Sequence, residues 1–330
     1  MLFWSAILLS TASAQTLVEN FFTPSDTLDK PRLKITATTA AIGYTAFTFA
    51  LDKLWYADYP RAPMHSFDDS DEWNQMDKTG HIFTTYFESR WAADIYSWTG
   101  IKRKNAVLLG AGTGMLFQST LEVLDGLSAE WGFSWSDMAA NTAGATLFTA
   151  QELAWNEQRI MLKISAHGRE QALYQQQITS LNNPNVVTTL GARTDALYGN
   201  GKNPFEQALK DYNNLTVWAS ANVWSFLPNR ETSKFPTWLN IAVGYGAENL
   251  YKGAPEYGWN DKNGNRFEIN PTDYPRYRQL YISPDIDFTK LKVKNKLLRT
   301  VLSGLNIFKV PLPTVEFNSL GQVKFHAFYF

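Results

Sequence analysis

The chain has 330 residues, with 30 Lys and Arg against 31 Asp and Glu and a formal charge of −1. That balance speaks against nucleic acid, whose phosphate backbone is met by clustered positive charge. The lack of any cysteine excludes disulfides, thiolate zinc sites and a catalytic thiol. Aromatic residues make up 15% of the chain and charged residues only 18%. With a mean hydropathy of −0.27, this is too polar for a protein made mostly of transmembrane helices, yet as rich in rings as large cores and membrane interfaces are.

The apolar run Leu2 to Leu9 followed by Ala12-Ser13-Ala14 predicts a signal peptide over residues 1–14, cleaved before Gln15, and hence an exported protein. Residues 15–34 read as a polar arm ending in a loop, Asp29 to Lys34. Ile35 to Leu51 is uncharged and helical in texture, but at 17 residues only marginal for a bilayer span. Tyr59-Pro60-Arg61-Ala62-Pro63 breaks it, and the acidic loop Asp68 to Glu72 follows.

Three further helices are expected: Thr79 to Trp98, Ala106 to Leu127, and Ser136 to Trp155, the last capped by Ser134 or Ser136. Gly110, Gly112 and Gly114 in the middle of these are small residues that let helices approach closely. The short turns between them predict antiparallel neighbours.

Past residue 160 the texture changes. Gln175 to Gln177 and Asn182-Asn183-Pro184 read as a linker, and residues 199–201, Gly-Asn-Gly, as a turn. Alternating, aromatic-rich runs at Leu215 to Phe226, Trp238 to Tyr251, Tyr277 to Phe288 and Pro313 to Phe330 read as strands. Asp261 to Asn265 reads as a tight turn lacking the ligand pattern of a calcium loop. Lys290 to Phe308 has the spacing of an amphipathic surface helix. The fold class is therefore α+β: an N-terminal bundle of about four helices over residues 15–160, a β-rich antiparallel region over 161–330 with the amphipathic helix near 290–308, and membrane association. Loop charges would invert the positive-inside bias if the first helix crossed an inner membrane. The aromatic C-terminus resembles the last strand of an outer-membrane sheet. Together they favour the outer membrane or the periplasmic face of the envelope.

Candidate chemistry lies on the helices. Asp77 and His81 are four apart with Lys78 beside them, Glu122 and Asp125 three apart, and Asp137 and Asn141 four apart. Residues at these spacings share a helix face. Three such faces meeting in a bundle would gather an imidazole, carboxylates and an amide, a set fit for acid–base chemistry or for a divalent metal. Asp77 and Asp137 would also serve as helix caps. The scattered His65, His167 and His326 read as surface or satisfied histidines. Walker, dinucleotide, zinc-protease and nucleophile-elbow motifs do not occur.

The blocks Asp77-Lys78-Thr79-Gly80-His81, Glu122, and Ser134-Trp135-Ser136-Asp137 through Asn141 to Gly144 resemble the VanZ-like pattern. More closely, they resemble the YfiM-type family of uncharacterised envelope proteins, predicted periplasmic lipoproteins. Asp77, Lys78, His81, Tyr86, Glu122, Asp125, Gly126, Asp137, Asn141 and Gly144 fall on that family's motif positions, over residues 73–150. The stretches at Asp211 to Asn213, Gly244 to Glu248 and Lys324 to His326 resemble the extension of its longer members. The chain departs from the family in lacking the lipobox cysteine. The resemblance implies an envelope role without an agreed reaction.

The expected function is structural, or the binding of membrane lipid or envelope glycan at the outer membrane, with other envelope proteins as further partners and no required cofactor. The alternative is a membrane-embedded hydrolase or transferase. There, His81 would act as base or metal ligand, Glu122 and Asp125 as acid–base or metal-binding groups, Asp137 as orienter, and Asn141 or Lys78 as stabilisers of negative charge.

Overall fold

The computed structural model describes residues 21–57, 59–168, 175–198 and 211–329. The signal peptide, the turn at 199–201 and the last residue of the final run lie outside the described residues. The chain forms two compact units. The first comprises the described parts of Met1–Phe67, with Thr84–Gln158 and Asp287–Ile307; the second comprises Asp68–Phe83, Arg159–Ile286 and Phe308–Phe330. As expected, the fold is α+β, with long helices in the N-terminal half and an antiparallel sheet in the C-terminal half.

Four long helices occur among the described residues: α1 (Lys30–Ala50), α2 (Met76–Trp98), α3 (Arg103–Gly126) and α4 (Trp135–Trp155). The expected loop at Asp29 to Lys34 is instead the start of α1. Asp29 accepts the Arg32 amide at 2.9 Å, and Pro31 sits in the first turn, where its missing N–H costs nothing. Ser134 caps α4, accepting from the Asp137 amide at 3.0 Å. α3 is long and apolar enough to cross a membrane, by length and composition.

Within the first unit, α2 and α3 pack over small residues. A Cβ on Gly110 would fall 2.6 Å from the Ala93 Cβ, and one on Gly114 would fall 2.5 Å from the Ser89 hydroxyl. Gly112, on the other side, faces open space. The tightness expected of the glycine run therefore belongs to two of its three members. α1 joins α3 through the Tyr44 and Thr120 hydroxyls, 2.7 Å apart, and through Tyr44 and Phe47 against Phe117. A short helix, α6 (Lys296–Leu305), exposes Leu297, Leu298, Val301 and Leu305.

The second unit is built on a six-stranded antiparallel sheet in the order β1-β4-β5-β8-β9-β10. Its strands are β1 (Ile160–Ala166), β4 (Leu215–Asn222), β5 (Leu239–Glu248), β8 (Tyr277–Ile286), β9 (Leu312–Asn318) and β10 (Val323–Tyr329). β1 is absent from the sequence expectations because Met161 to Ser165 is too short to show a clear period. The expected linker is instead a small hairpin, β2 (Gln177–Thr179) with β3 (Val187–Thr189), followed by a short helix, α5 (Leu190–Tyr198). β6 (Gly258–Asn260) and β7 (Arg266–Glu268) flank the Asp261 turn. The Asp261 carboxylate is consumed there by the Asn263 and Asn265 amides and the Asn265 side chain.

This sheet has its polarity reversed from that of a soluble protein. The register aligns Ala219, Val243, Ile282, Val315 and Phe325 in one cross-strand row on the outer face. A second row aligns Tyr245, Leu280, Phe317 and Val323. Val243, Leu280, Ile282 and Phe325 are each at least half exposed. The inward phase carries the packed cluster of Trp218, Ala242, Tyr281 and Tyr329 and, beside it, buried polar groups: Lys163, Ser220, Asn240 and Asp285 have no exposed surface, and Gln279 and Glu316 almost none.

The sheet curls strongly. At one end the Tyr329 hydroxyl in β10 meets Thr216 of β4 at 3.0 Å and donates to Tyr281 of β8 at 2.8 Å. At the other, the Lys309 amide donates to the Ile164 carbonyl of β1 at 2.8 Å.

Inside the curl lies a charge cluster. The Lys163 ammonium is 2.8 Å and the Lys309 ammonium 3.9 Å from the Asp285 carboxylate. Ser220 donates to Asp285 at 2.6 Å, and the Val310 amide at 3.2 Å. Burial pushes Lys309 down to about 8, against the attraction of Asp285.

Candidate functional site

The residues singled out in the sequence are placed by two kinds of local structure. Asp77, Lys78 and His81 occupy the first two turns of α2, in the second unit. The helix is entered through an unusual turn in which Trp73, Asn74 and Gln75 all take positive φ, 51°, 48° and 62°. Non-glycine residues rarely adopt this conformation, and three in succession persist only where the surroundings over-determine them. Here the Trp73 amide donates to the Gly253 carbonyl at 2.8 Å, Tyr245 donates to the Asn74 carbonyl, and Arg278 donates to the Gln75 side chain at 2.7 Å. The turn aims Asp77 at Tyr212, which donates to its carboxylate at 2.6 Å.

Lys78 bridges Asp77 at 3.1 Å and Asp69 at 2.8 Å, and the His81 Nε2 stands 3.9 Å from Asp77. Burial works to raise the Asp77 carboxyl. The charges of His81 and Lys78, with the Tyr212 hydrogen bond, outweigh it and hold the group below its usual value.

Glu122, Asp125, Asp137, Asn141 and Tyr86 belong to the first unit. Glu122, 1% exposed, accepts the Ser134 amide at 3.2 Å and so ties α3 to the cap of α4. Asp125 accepts from the buried Tyr56 hydroxyl at 2.6 Å. Burial, together with the Asp125 charge, pushes that phenol well above its ordinary range. Asp137 is buried in the first turn of α4. Asn141 accepts from Thr85 of α2 at 2.9 Å, and Tyr86 donates to Gln158 at 3.0 Å. Gln118 of α3 donates to Glu88 of α2 at 3.0 Å. The sequence expectation joins three faces, Asp77/His81, Glu122/Asp125 and Asp137/Asn141; within this unit α2, α3 and α4 are linked by the Thr85–Asn141, Gln118–Glu88 and Ser134–Glu122 hydrogen bonds. Such cross-helix hydrogen bonds help to fix which helix faces meet.

A second constellation, missed in the sequence, lies in the sheet. A cavity of about 400 Å³ opens at one end of the curl, among His167, Glu248, Tyr281, Glu316, His326 and Tyr329. His326 Nε2 is 2.8 Å from Glu316, and His167 Nε2 is 3.3 Å from Glu248. The two histidines read as scattered thus flank one ring, with Tyr329 5.8 Å from His167 and 5.1 Å from His326. Each is indeed satisfied, as expected, but by a carboxylate lining the cavity.

Burial raises Glu248, partly countered by its bond to His167, whereas Glu316 is held low: its bonds to Asn318 and His326 outweigh burial. For His167, burial works downward, and the bond and charge of Glu248 outweigh it, leaving the imidazole above its usual value. The available signal was the polar phase of the alternation, Gln279 and Tyr281, then Glu316, then Lys324 and His326. A sequence does not reveal which phase faces inward.

Residues 66–151 match a family described as predicted periplasmic lipoprotein (DUF2279). The match covers the turn before α2 and the helices that carry the motif residues, and stops short of the sheet. It agrees with an exported protein at the outer membrane or the periplasmic face of the envelope, of a family without a characterised activity. This chain has no cysteine to carry a lipid. No curated protein and no solved structure matches the chain.

Proposed function

We propose that this is a non-enzymatic envelope protein that holds to the outer membrane by the apolar outer face of its sheet. The observation that carries the reading is the reversed polarity of the sheet. Rows of Ala, Val, Ile, Leu and Phe point outward while Lys163, Asp285 and Glu316 point inward. A sheet in water gains nothing from this arrangement, whereas a sheet against hydrocarbon needs it. The match to a periplasmic lipoprotein family supports the compartment, and the apolar face supplies the membrane contact that a lipidated cysteine supplies elsewhere.

The motif residues support a structural role for the helices. Glu122, Asp125, Asp77 and Asn141 each accept a hydrogen bond from a neighbouring segment that fixes its place. The kinship with YfiM-type and, more distantly, VanZ-like proteins belongs to the same reading.

The test is flotation of the purified chain with phosphatidylethanolamine/phosphatidylglycerol vesicles. Val243, Ile282 and Phe325 are 50%, 50% and 71% exposed. Fully burying such a side chain is worth about 1.5–3 kcal/mol, so half to two-thirds of each leaves about 1–2 kcal/mol apiece. The triple variant V243S/I282S/F325S should bind vesicles at least ~100-fold more weakly. Equal flotation of the variant, or failure of the wild type to float, overturns the proposal. So does a dimer that this variant dissolves in the absence of vesicle binding.

A further inference from the structure

The mouth of the curled sheet is lined by carboxylates, imidazoles and aromatic rings. We infer that it is a binding site for a neutral saccharide. The cavity of about 400 Å³ is within the range of small-molecule sites, and its lining selects among ligand classes. Two carboxylates, Glu248 and Glu316, reach it, each oriented by an imidazole. Glu316 is oriented further by the Asn318 amide at 3.0 Å. An ionised carboxylate has about four acceptor positions; Glu316 spends three on Asn318, His326 and Gln279, so acceptor capacity for a ligand is left chiefly on Glu248. The Tyr329 hydroxyl is shared with Thr216 and Tyr281, and Lys324 supplies the donor at the mouth.

An acyl chain is the wrong occupant, because it would strip water from these groups and replace none of their hydrogen bonds. A strongly charged ligand is also wrong. The charge at the mouth is mixed, with Lys324 and the two imidazoles set against the two carboxylates, so no single-sign field gathers an ion. What remains is an uncharged molecule dense in hydroxyls, each of which can donate to a carboxylate and accept from the Lys324 ammonium.

A sugar ring also has an apolar C–H face, and Phe328, 80% exposed at the rim, offers a ring to receive it. The site stands apart from the membrane reading: its lining comes from the inward phase of the strands, whereas the membrane face comes from the outward phase.

The same chemistry could arrive as a free oligosaccharide or as the headgroup of a glycolipid, and the experiment separates the two. The full chain, in a detergent without a sugar headgroup, is titrated calorimetrically with chitotriose and with maltotriose. In parallel, it is floated with phosphatidylcholine vesicles with and without diglucosyl diacylglycerol.

Saturable binding of a trisaccharide is expected, or, for a headgroup ligand, flotation strengthened by the glycolipid. E316Q should weaken either by about tenfold, through loss of one charged acceptor. F328A, at an exposed position that leaves the interior intact, should weaken it by about threefold or more. I282S, on the outer face, should weaken plain vesicle binding and leave the sugar titration unchanged. The inference falls if neither trisaccharide nor glycolipid gives a saturable response with folded wild type, or if E316Q and F328A both bind as wild type does.

Discussion

Replacing Asp285 by asparagine removes one charge from a site with no exposed surface. Its carboxylate lies 2.8 Å from the Lys163 ammonium and 3.9 Å from that of Lys309, and also accepts from Ser220 and the Val310 amide. Asparagine keeps the shape and one acceptor but leaves two buried ammonium groups uncompensated. Breaking a buried ion pair from one side costs about 3–5 kcal/mol. For a unit of this size each kcal/mol moves the melting midpoint by about 2–4 °C, so D285N should melt roughly 6–20 °C lower. Thermal and urea unfolding of the full chain, followed by tryptophan fluorescence, measures this, since Trp218 is fully buried in the curl with Lys309 5.1 Å from its ring.

The pH dependence gives an independent check. Lys309 is depressed from 10.5 to about 8 in the folded protein. Between those values the unfolded chain binds more protons, so stability must rise with pH across that window, by about 3 kcal/mol at most for this group. Asp285 works to raise Lys309, so its loss lowers that group further and extends the rising limb to lower pH. The deficit of D285N should therefore shrink as pH increases from 7 to 10. A loss under about 1 kcal/mol at pH 7, or a deficit that grows with pH, would refute the view that the cluster balances charge.

Gly110 and Gly112 form a matched pair in the helical unit. G110A must push the Ala93 and Ser89 segment away and should cost about 1–3 kcal/mol, whereas G112A faces open space and should stabilise by up to about 1 kcal/mol in urea titrations. Equal effects at the two positions would remove close packing as the reason for Gly110. Y56F deletes the hydroxyl that donates to Asp125 at 2.6 Å and should lower stability by about 1.5–3 kcal/mol, as for a hydrogen bond to a charged group.

His167 should titrate above 6.5 by NMR, and E248Q should bring its midpoint down, because burial is then opposed only by the weaker pull of the Gly168 carbonyl and Asp211. Since the folded imidazole holds its proton more tightly than the unfolded one, the contribution of this histidine's proton to stability is full below about pH 6.5 and is lost as pH rises through the raised folded value. An unmoved midpoint in E248Q would show that Glu248 is not the cause. Mass spectrometry of the exported chain should give Gln15 as its first residue; an intact Met1 would refute the cleavage reading.

Much of the helical half was legible because its signals are local. Glycines and a serine cap mark ends of α2, α3 and α4, and the i, i+3 and i+4 spacing of Glu122, Asp125, Asp137 and Asn141 marks their polar faces. Asp29 was misjudged because Lys-Pro-Arg reads as a breaker until the aspartate is recognised as the cap. The strands were found where alternation ran long, as in β5 and β8, and lost where it was brief, as in β1 and the β2–β3 hairpin.

The amino-acid sequence by itself determined the composition that excludes disulfides, the α+β order of elements, and the two alternating phases of each strand. It also determined the motif blocks that carry the family match. Only the tertiary structure decided which phase faces inward. Alternation is symmetric: a strand of polar and apolar residues at period two serves a soluble or a lipid-facing sheet equally well. The curl resolves this by placing Lys163, Asp285 and Glu316 on the concave side, where they find partners from distant strands, and by turning Val243, Ile282 and Phe325 outward. His167 and His326, 159 positions apart in the chain, become neighbours of the same tyrosine for that reason alone.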